Sequence, residues 1–215
     1  YWTWVDAVLN YISGAKEYWP AELQLMAKDI LKFHGVIWPA MLMSADYKLP
    51  KQIFAHGFLT VNGQKMSKSL GNAIDPLYFA GKYLVDALRY YLIREIPFGQ
   101  DGDFSEGALK TRLNNELANE LGNLVSRVLA LAEKNLNSKV KKPNLDNRLI
   151  NKLDIKKIES YMENIELHNA LSEIFKFINE CNKHINEEKP WSMKPKDLEK
   201  HLYTLIESLR IISIL

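Results

Sequence analysis

"ELQLMAKDILKFHGVIWPAMLMSADYKLPKQIFAHGFLTV", residues 22–61, decides the fold. Its first five residues, "ELQLM" (22–26), alternate in character and read as a short strand. Asp29 then stands where a helix N-cap would, ahead of Ile30, Phe33, Ile37 and Met41, which recur at helical spacing. Pro39 lies inside that pattern and is expected to end or kink the helix near Trp38, because it has no N–H to donate. "QIFAHGFLTV" (52–61) reads as the next strand, and Asn62-Gly63 after it is a tight-turn signal. A strand, a helix and a strand in this order form the βαβ unit of a parallel sheet. Two strands are too few for a stable α/β domain, so the rest of the sheet is expected upstream of Tyr1.

Downstream the pattern turns helical. Asp75-Pro76 supplies a cap followed by proline at the first helical position, and "DPLYFAGKYLVDALRYYLIRE" (75–95) reads as two short helices broken near Gly81 or Tyr83. "PFGQDGDF" (97–104), rich in Gly and Asp, reads as a loop and as the main boundary. Beyond Ser105, Leu109, Leu113, Leu117, Leu121, Leu124 and Val128 make one apolar helical stripe. A polar connector at 137–147 precedes helical patterns at about 148–163, 166–187 and 196–215, with "EEKPWSMKP" (187–195) interrupting them. This is a helical bundle with connectors, so the chain as a whole is mostly α.

Composition sets bounds. Of 215 residues, 47% are hydrophobic and 25% charged, the balance of a globular protein whose core needs no metal or disulfide staples. The net charge of +2 neither suggests nor excludes a nucleic-acid partner. The single cysteine, Cys181, excludes an internal disulfide and a cysteine-based zinc cluster, and fits a reducing compartment. No apolar run reaches the roughly 18–20 residues of a membrane span. "YWTWVDAVLNY" opens at full aromatic density and "LIESLRIISIL" closes on an uncapped helical pattern, so the chain is expected to be an internal piece of a longer one.

"GQKMSKSLGN" (63–72) carries the first chemistry. A reaction that expels pyrophosphate builds negative charge on the leaving group, and positioned cations lower its barrier. Lys65 and Lys68 are compact charges on long flexible stems, on a stretch able to close over phosphates and reopen. On its own the pentapeptide reads equally well as a solvated basic turn.

Its neighbours remove that balance. "KMSKS" after an apolar strand and before "LGNAIDP" is the signature of class I aminoacyl-tRNA synthetases. "YWTWVDAVLNYIS", "KDILKFHGVIWPA", "FAHGFLTVNGQKMSKSLGN", "YLVDALRYYLIREIPFGQDGDFS" and "ANELGNLVSRVL" together resemble the methionyl-tRNA synthetases, in order and over nearly the whole chain. The resemblance implies an α/β second half of a Rossmann-like catalytic fold at 1–62. It implies the KMSKS loop and stem-contact connector at 63–104, and an α-helical anticodon-binding domain, truncated at its C-terminus, at 105–215.

It also implies roles. Lys65 and Lys68 would be catalytic. ATP would meet Asp29, His56, Gly57, Lys65, Met66, Ser67, Lys68 and Ser69. Methionine would be lined by Trp4, Ala7, Tyr11, Ile30, Phe33, His34 and Trp38, which suits a polarizable thioether that packs well on aromatic rings. Without the resemblance, Trp4, Phe33 and Trp38 read as core aromatics, and Asp29 as a plain N-cap. Asn123 and Arg127, four apart on one helix face roughly opposite Leu121, and Trp191 after Lys189-Pro190 would read the anticodon of tRNA(Met) by stacking and edge contacts. ATP would come with Mg2+ as substrate, and no zinc site is implied in this chain. Methionine, ATP and tRNA(Met) are the implied partners, with no membrane, in the cytoplasm or in an organelle of a eukaryote.

Three departures matter. Ala27 stands where the family usually has a glycine before Lys-Asp, so a methyl could crowd the ribose. Only Gly14 to Glu17 separate "NYIS" from "YWPAE", where the family is usually longer. No His-x-Gly-His motif occurs, so the chain holds half of an active site and alone is expected to be inactive. The competing readings are a non-catalytic tRNA-binding module and a class I synthetase for another apolar amino acid.

Overall fold

The computed structural model describes residues 2–67, 69, 71–137, 139–141 and 145–215, without the side chains of residues 2–4 and 16. The chain divides into two compact units, residues 1–74 with 96–104, and residues 75–95 with 105–215.

The first unit opens with α1 (Trp2–Ser13), an amphipathic helix whose Val8 is buried. β1 (Leu23–Ala27) alternates outward Leu23 and Leu25 with buried Gln24 and Met26. A short tight turn over Lys28–Ile30 leads into a π-helical turn, Phe33–Ile37, and then α2 (Trp38–Ser44). Of the two expected outcomes, an end or a kink near Trp38, the helix does not end there: it runs through Pro39, with a local distortion in the turn just before Trp38. The widened turn just before it, closed by Trp38 N–H on Phe33 O, makes room where a proline ring would otherwise meet the carbonyl four residues back. Val8, Trp38 and Leu42 form the buried centre, flanked by Ile12, Trp19 and Met41.

β2 (Gln52–His56) pairs in parallel with β1, Leu23 opposite Gln52 and Ala27 opposite His56, so the βαβ unit is present. The expected single strand over 52–61 is instead two. β3 (Leu59–Val61) belongs to a separate sheet, with β4 (Gln64–Lys65) antiparallel on one side and β5 (Gly102–Phe104) parallel on the other. The strand breaks at Gly57 because a later loop lies against it: a Cβ there would sit 2.1 Å from the Gln100 carbonyl oxygen. The expected turn at Asn62-Gly63 is present, both residues at positive φ (50° and 74°), as a type I′ hairpin requires. The expected loop at 97–104 ends as strand β5, whose pairing with β3 spans some forty residues and leaves no local signal.

The second unit begins with α3 (Pro76–Tyr83), capped by Asp75, whose carboxylate accepts the Leu77 N–H at 2.9 Å. The break before α4 (Val85–Glu95) falls at Leu84, at φ 72°, one residue past the later of the two expected positions, Gly81 and Tyr83. After the Ser105 cap come α5 (Glu106–Arg112), a wide π-helical stretch (Leu113–Gly122) and α6 (Asn123–Leu136). α7 (Asn147–Ile150), α8 (Ile155–Glu163), α9 (Leu167–Glu188) and α10 (Pro195–Ile212) complete the bundle. Leu124, Val128, Phe177, Ile178, Ile185 and Leu205 are among the side chains that fill its core. Glu116, buried beneath this helix crossing, accepts from Tyr90, from Arg94 and from Arg112, and Arg94 also donates to Ser172 Oγ at 3.0 Å. That network ties α4, the π-helical stretch and α9 together.

Candidate functional site

Helical spacing assembles the aromatic cluster. Ala7 and Tyr11 sit four apart on α1, and His34 and Trp38 sit four apart across the π-helical turn and α2. Tyr11 Oη lies 3.0 Å from His34 Nε2, and His34 Nδ1 lies 3.1 Å from the Ile30 carbonyl oxygen. A carbonyl only accepts, so the proton sits on Nδ1 and Nε2 accepts from the Tyr11 hydroxyl. The Tyr11 ring is 5.7 Å from the His34 ring, edge-on, and 6.1 Å from that of Trp38. The structure thus brings together Tyr11, His34 and Trp38, with Ile30 taking part through its backbone carbonyl. Trp38 is at the same time core, 1% exposed, with its indole N–H buried and unpartnered among the described residues. Ala7 is exposed one turn before Tyr11, and Phe33 is half-buried in the π-helical turn. The side chain of Trp4 lies outside the described residues.

Sequence reasoning missed Trp19. Its ring packs edge-on against Trp38 at 5.7 Å, and its Nε1–H donates to the Lys48 carbonyl at 2.9 Å. With Tyr11, Leu23 and Gln24 it lines a cavity of about 230 Å³. The only sequence signal for it was an aromatic next to Pro20 after a polar turn.

The next cluster forms at the carboxyl ends of two neighbouring parallel strands, where ligands bind in open α/β sheets. Ala27 closes β1 directly opposite His56, which closes β2. Asp29 follows Ala27 by two residues, and Gly57 follows His56. The Asp29 side chain is exposed and caps no helix: the turn it stands in has no side-chain cap, and among the described residues no hydrogen bond reaches its carboxylate. His56 Nδ1–H donates to the Gly57 carbonyl at 2.8 Å, which fixes the ring.

The lysine loop leaves the β3–β4 hairpin. Lys65 is the last residue of β4, exposed, paired with Thr60. Asn72 reaches back across the loop: its Oδ1 accepts the Ser67 N–H at 2.8 Å, and its Nδ2 donates to the Lys65 carbonyl at 3.1 Å. Ser67 Oγ and Ser69 Oγ are 2.7 Å apart, and Met66 is half-buried. Asn72 is a second residue that sequence reasoning left without a role. Lys68 lies outside the described residues. The hairpin itself is held by Asp103, whose Oδ1 accepts from Thr60 Oγ1 at 2.6 Å and from the Gly63 N–H at 2.7 Å. These two donors keep the Asp103 carboxyl below the usual carboxylate range.

In the second unit, Asn123 is exposed and Arg127 half-buried on α6, one turn apart. Arg127 Nη2 donates to Asn186 Oδ1 on α9 at 2.7 Å. Trp191 stands five residues after Asn186, 65% exposed, in a short turn that starts at buried Pro190. An exposed indole on a stiffened turn is unusual for a core plug and suits stacking. The Arg127–Asn186 bond is a pairing between helices with no periodic signal. The described residues hold no group of three or more His, Cys, Asp or Glu placed for a metal ion, and no helix long and apolar enough to cross a membrane.

A protein-family model described as "tRNA synthetases class I (M)" matches residues 1–129. The methionine–tRNA ligase of Caldanaerobacter subterraneus subsp. tengcongensis is 45% identical over 100% of this chain and 37% of its own length. That of Thermotoga maritima is 45% identical over 98% of this chain and 36% of its own length. Methionyl-tRNA synthetase of Mycobacterium tuberculosis, solved in complex with methionyl-adenylate, superposes with a TM-score of 0.91 at 41% identity, covering 98% of this chain and 46% of that one. The chain therefore spans between a third and a half of the length of these relatives. Its mostly helical architecture with a small parallel sheet is that of a fragment of their Rossmann-like fold. With the match over residues 1–129 and the parallel-strand geometry in agreement, the chain belongs to the class I tRNA synthetases, group M.

Proposed function

We propose that this chain is the KMSKS half of a methionine–tRNA ligase, which activates methionine with ATP and transfers it to tRNA(Met). The observation that carries the reading is the Tyr11–His34–Trp38 cluster, in the same compact unit as the parallel strand ends that lead to Asp29 and Gly57. The names of the relatives support methionine over another apolar amino acid and support an enzyme over a non-catalytic tRNA-binding module. In this reading residues 1–62 supply the second catalytic half, 63–104 the lysine loop and connector, and 105–215 the anticodon-binding helices, in a cytoplasmic enzyme.

The aromatic cluster, with Trp4, Ala7, Ile30 and Phe33, would hold the thioether, and the Tyr11–His34 pair would keep its polar edge fixed. Such a pocket separates near-isosteres by only about 1–3 kcal/mol per methylene, so a fixed polar edge adds discrimination. Asp29 would accept from the ribose hydroxyls, and His56-Gly57 would border the base. A methionine carboxylate oxygen forms a bond to the α-phosphorus while the bond from that phosphorus to the bridging oxygen breaks, and the electron pair leaves with pyrophosphate. No covalent enzyme intermediate is required, so positioning and charge stabilisation do the catalysis. Lys65 and Lys68 would stabilise the departing pyrophosphate, with Met66, Ser67 and Ser69 shaping the loop, and Mg2+ would arrive on the ATP as part of the substrate. Asn123, Arg127 and Trp191 would bind the unstacked anticodon bases.

Methionine-dependent ATP–pyrophosphate exchange by the full-length protein tests the reading. Exchange with methionine and not with leucine or isoleucine is expected, and no exchange would overturn it. The 215-residue chain by itself is expected to give none.

A further inference from the structure

The segment that follows α4 returns to the first unit and straps down both turns at the ends of β1 and β2. Phe98 stacks on Phe54 of β2, with ring centres 5.0 Å apart and planes 8° from parallel. The Gln100 carbonyl presses on Gly57 where no Cβ fits. Gly102 N–H donates to the Phe58 carbonyl at 2.9 Å. At the centre of the strap is Asp101. Its Oδ1 accepts the Phe58 N–H at 2.7 Å, and both its oxygens lie 2.6 Å from Lys28 Nζ. The same ammonium sits 4.8 Å from the centre of the Phe58 ring.

One carboxylate therefore holds the residue just before Asp29 and the residue just after Gly57. The two turns come from different strands, and among the described residues this is the charged link between them. We propose that Asp101 is a positioning residue for the nucleotide: through Lys28 and the Phe58 N–H it sets the spacing between Asp29 and His56-Gly57, against which ribose and base would lie. The inference rests on the ATP reading given above. The Lys28 ammonium and the Phe58 backbone N–H hold the Asp101 carboxyl below the usual carboxylate range, so the link is ionised at neutral pH. The ion pair is about half exposed, so its contribution to global stability is small and its effect is one of placement.

Pyrophosphate exchange by the full-length protein, with ATP and methionine varied separately, tests this. Asp101→Asn keeps an acceptor for Phe58 and loses the ion pair; Lys28→Met loses it from the other side. Each is expected to raise the KM for ATP about five- to tenfold, with the KM for methionine unchanged, since a small misplacement of binding groups costs far more than an exposed ion pair is worth. The double variant should be no worse than either single one, because the two residues act through the same ion pair. Lys28→Arg, which keeps the cation, should stay near the unaltered protein. An unchanged ATP KM in both single variants overturns the inference and leaves the ATP reading standing. So does an equal rise for both substrates with a lowered melting temperature, which would mark a merely structural strap. No exchange by the unaltered protein overturns the ATP reading, and the inference with it.

Discussion

Tyr11 and His34, 23 residues apart in sequence, meet through a 3.0 Å hydrogen bond whose histidine is only 2% exposed. The bond fixes two features at once. It orients the imidazole, whose other nitrogen is already committed to Ile30, and it holds the Tyr11 hydroxyl at the edge of an otherwise apolar cluster.

Tyr11→Phe removes the hydroxyl and leaves a buried ring nitrogen without a partner, a loss of about 1–3 kcal/mol. The expected outcome is a rise of about tenfold in the KM for methionine with the KM for ATP steady, read by pyrophosphate exchange. Equal changes for both substrates would assign the pair to scaffolding.

Trp191→Ala deletes a 65% exposed indole and leaves the bundle core intact. Loss of one stacked base costs about 1–3 kcal/mol, so tRNA charging should fall about five- to a hundred-and-fiftyfold while methionine activation is unchanged. Equal losses in charging and activation would refute an anticodon role for this residue.

Glu116 is a stability determinant. Burial alone would push its carboxyl up, but the Tyr90 hydroxyl and the Arg94 and Arg112 guanidiniums outweigh burial and hold it below the usual range. Glu116→Leu removes the acceptor shared by two partly buried guanidiniums, although Arg112 keeps Glu95 and Arg94 keeps Ser172, and should destabilise the helical unit by roughly 3 kcal/mol, seen as an earlier urea midpoint. A midpoint at the wild-type value would show that the network is dispensable.

The stacked pair His184 and His201, ring centres 4.8 Å apart between α9 and α10, makes stability depend on pH. Burial, and then the neighbouring His184, push His201 down from 6.5 to about 4, and burial lowers His184 as well, against Glu188 and Asp146. The unfolded chain therefore binds more protons than the folded one between these values. The stabilisation is complete above about pH 6.5 and is lost as pH falls toward 4, by roughly 2 kcal/mol at pH 5 for His201. Urea titrations at pH 7, 6 and 5 should show the slope, and His201→Leu should flatten it. A slope unchanged in that variant would place the titration elsewhere.

Sequence determined much of this protein by local rules. Alternation marked β1, and a cap with proline marked the start of α3, because each signal acts within one turn or one strand pair. Helical spacing put Asn123 and Arg127 on one face, whereas Tyr11, His34 and Trp38 were singled out by the family resemblance and not by periodicity. The Asn62-Gly63 turn followed from two residues that tolerate positive φ.

Only the tertiary structure decided what depends on distant pairing. The strand over 52–61 is cut in two because a loop more than forty residues later presses on Gly57. That loop carries strand β5, whose Gly and Asp disguise it as a turn until β3 supplies its partner. Pro39 lies inside a helix because a π-helical turn opens before it, beside a buried centre of Val8, Trp38 and Leu42. The bonds of Asn72 across the lysine loop, Asn186 on Arg127 and Asp101 on Lys28 and Phe58 had no periodic signature. They arise where side chains from separate segments meet, and a hydrogen bond between such segments exists only once the backbone has brought both ends within about 3 Å.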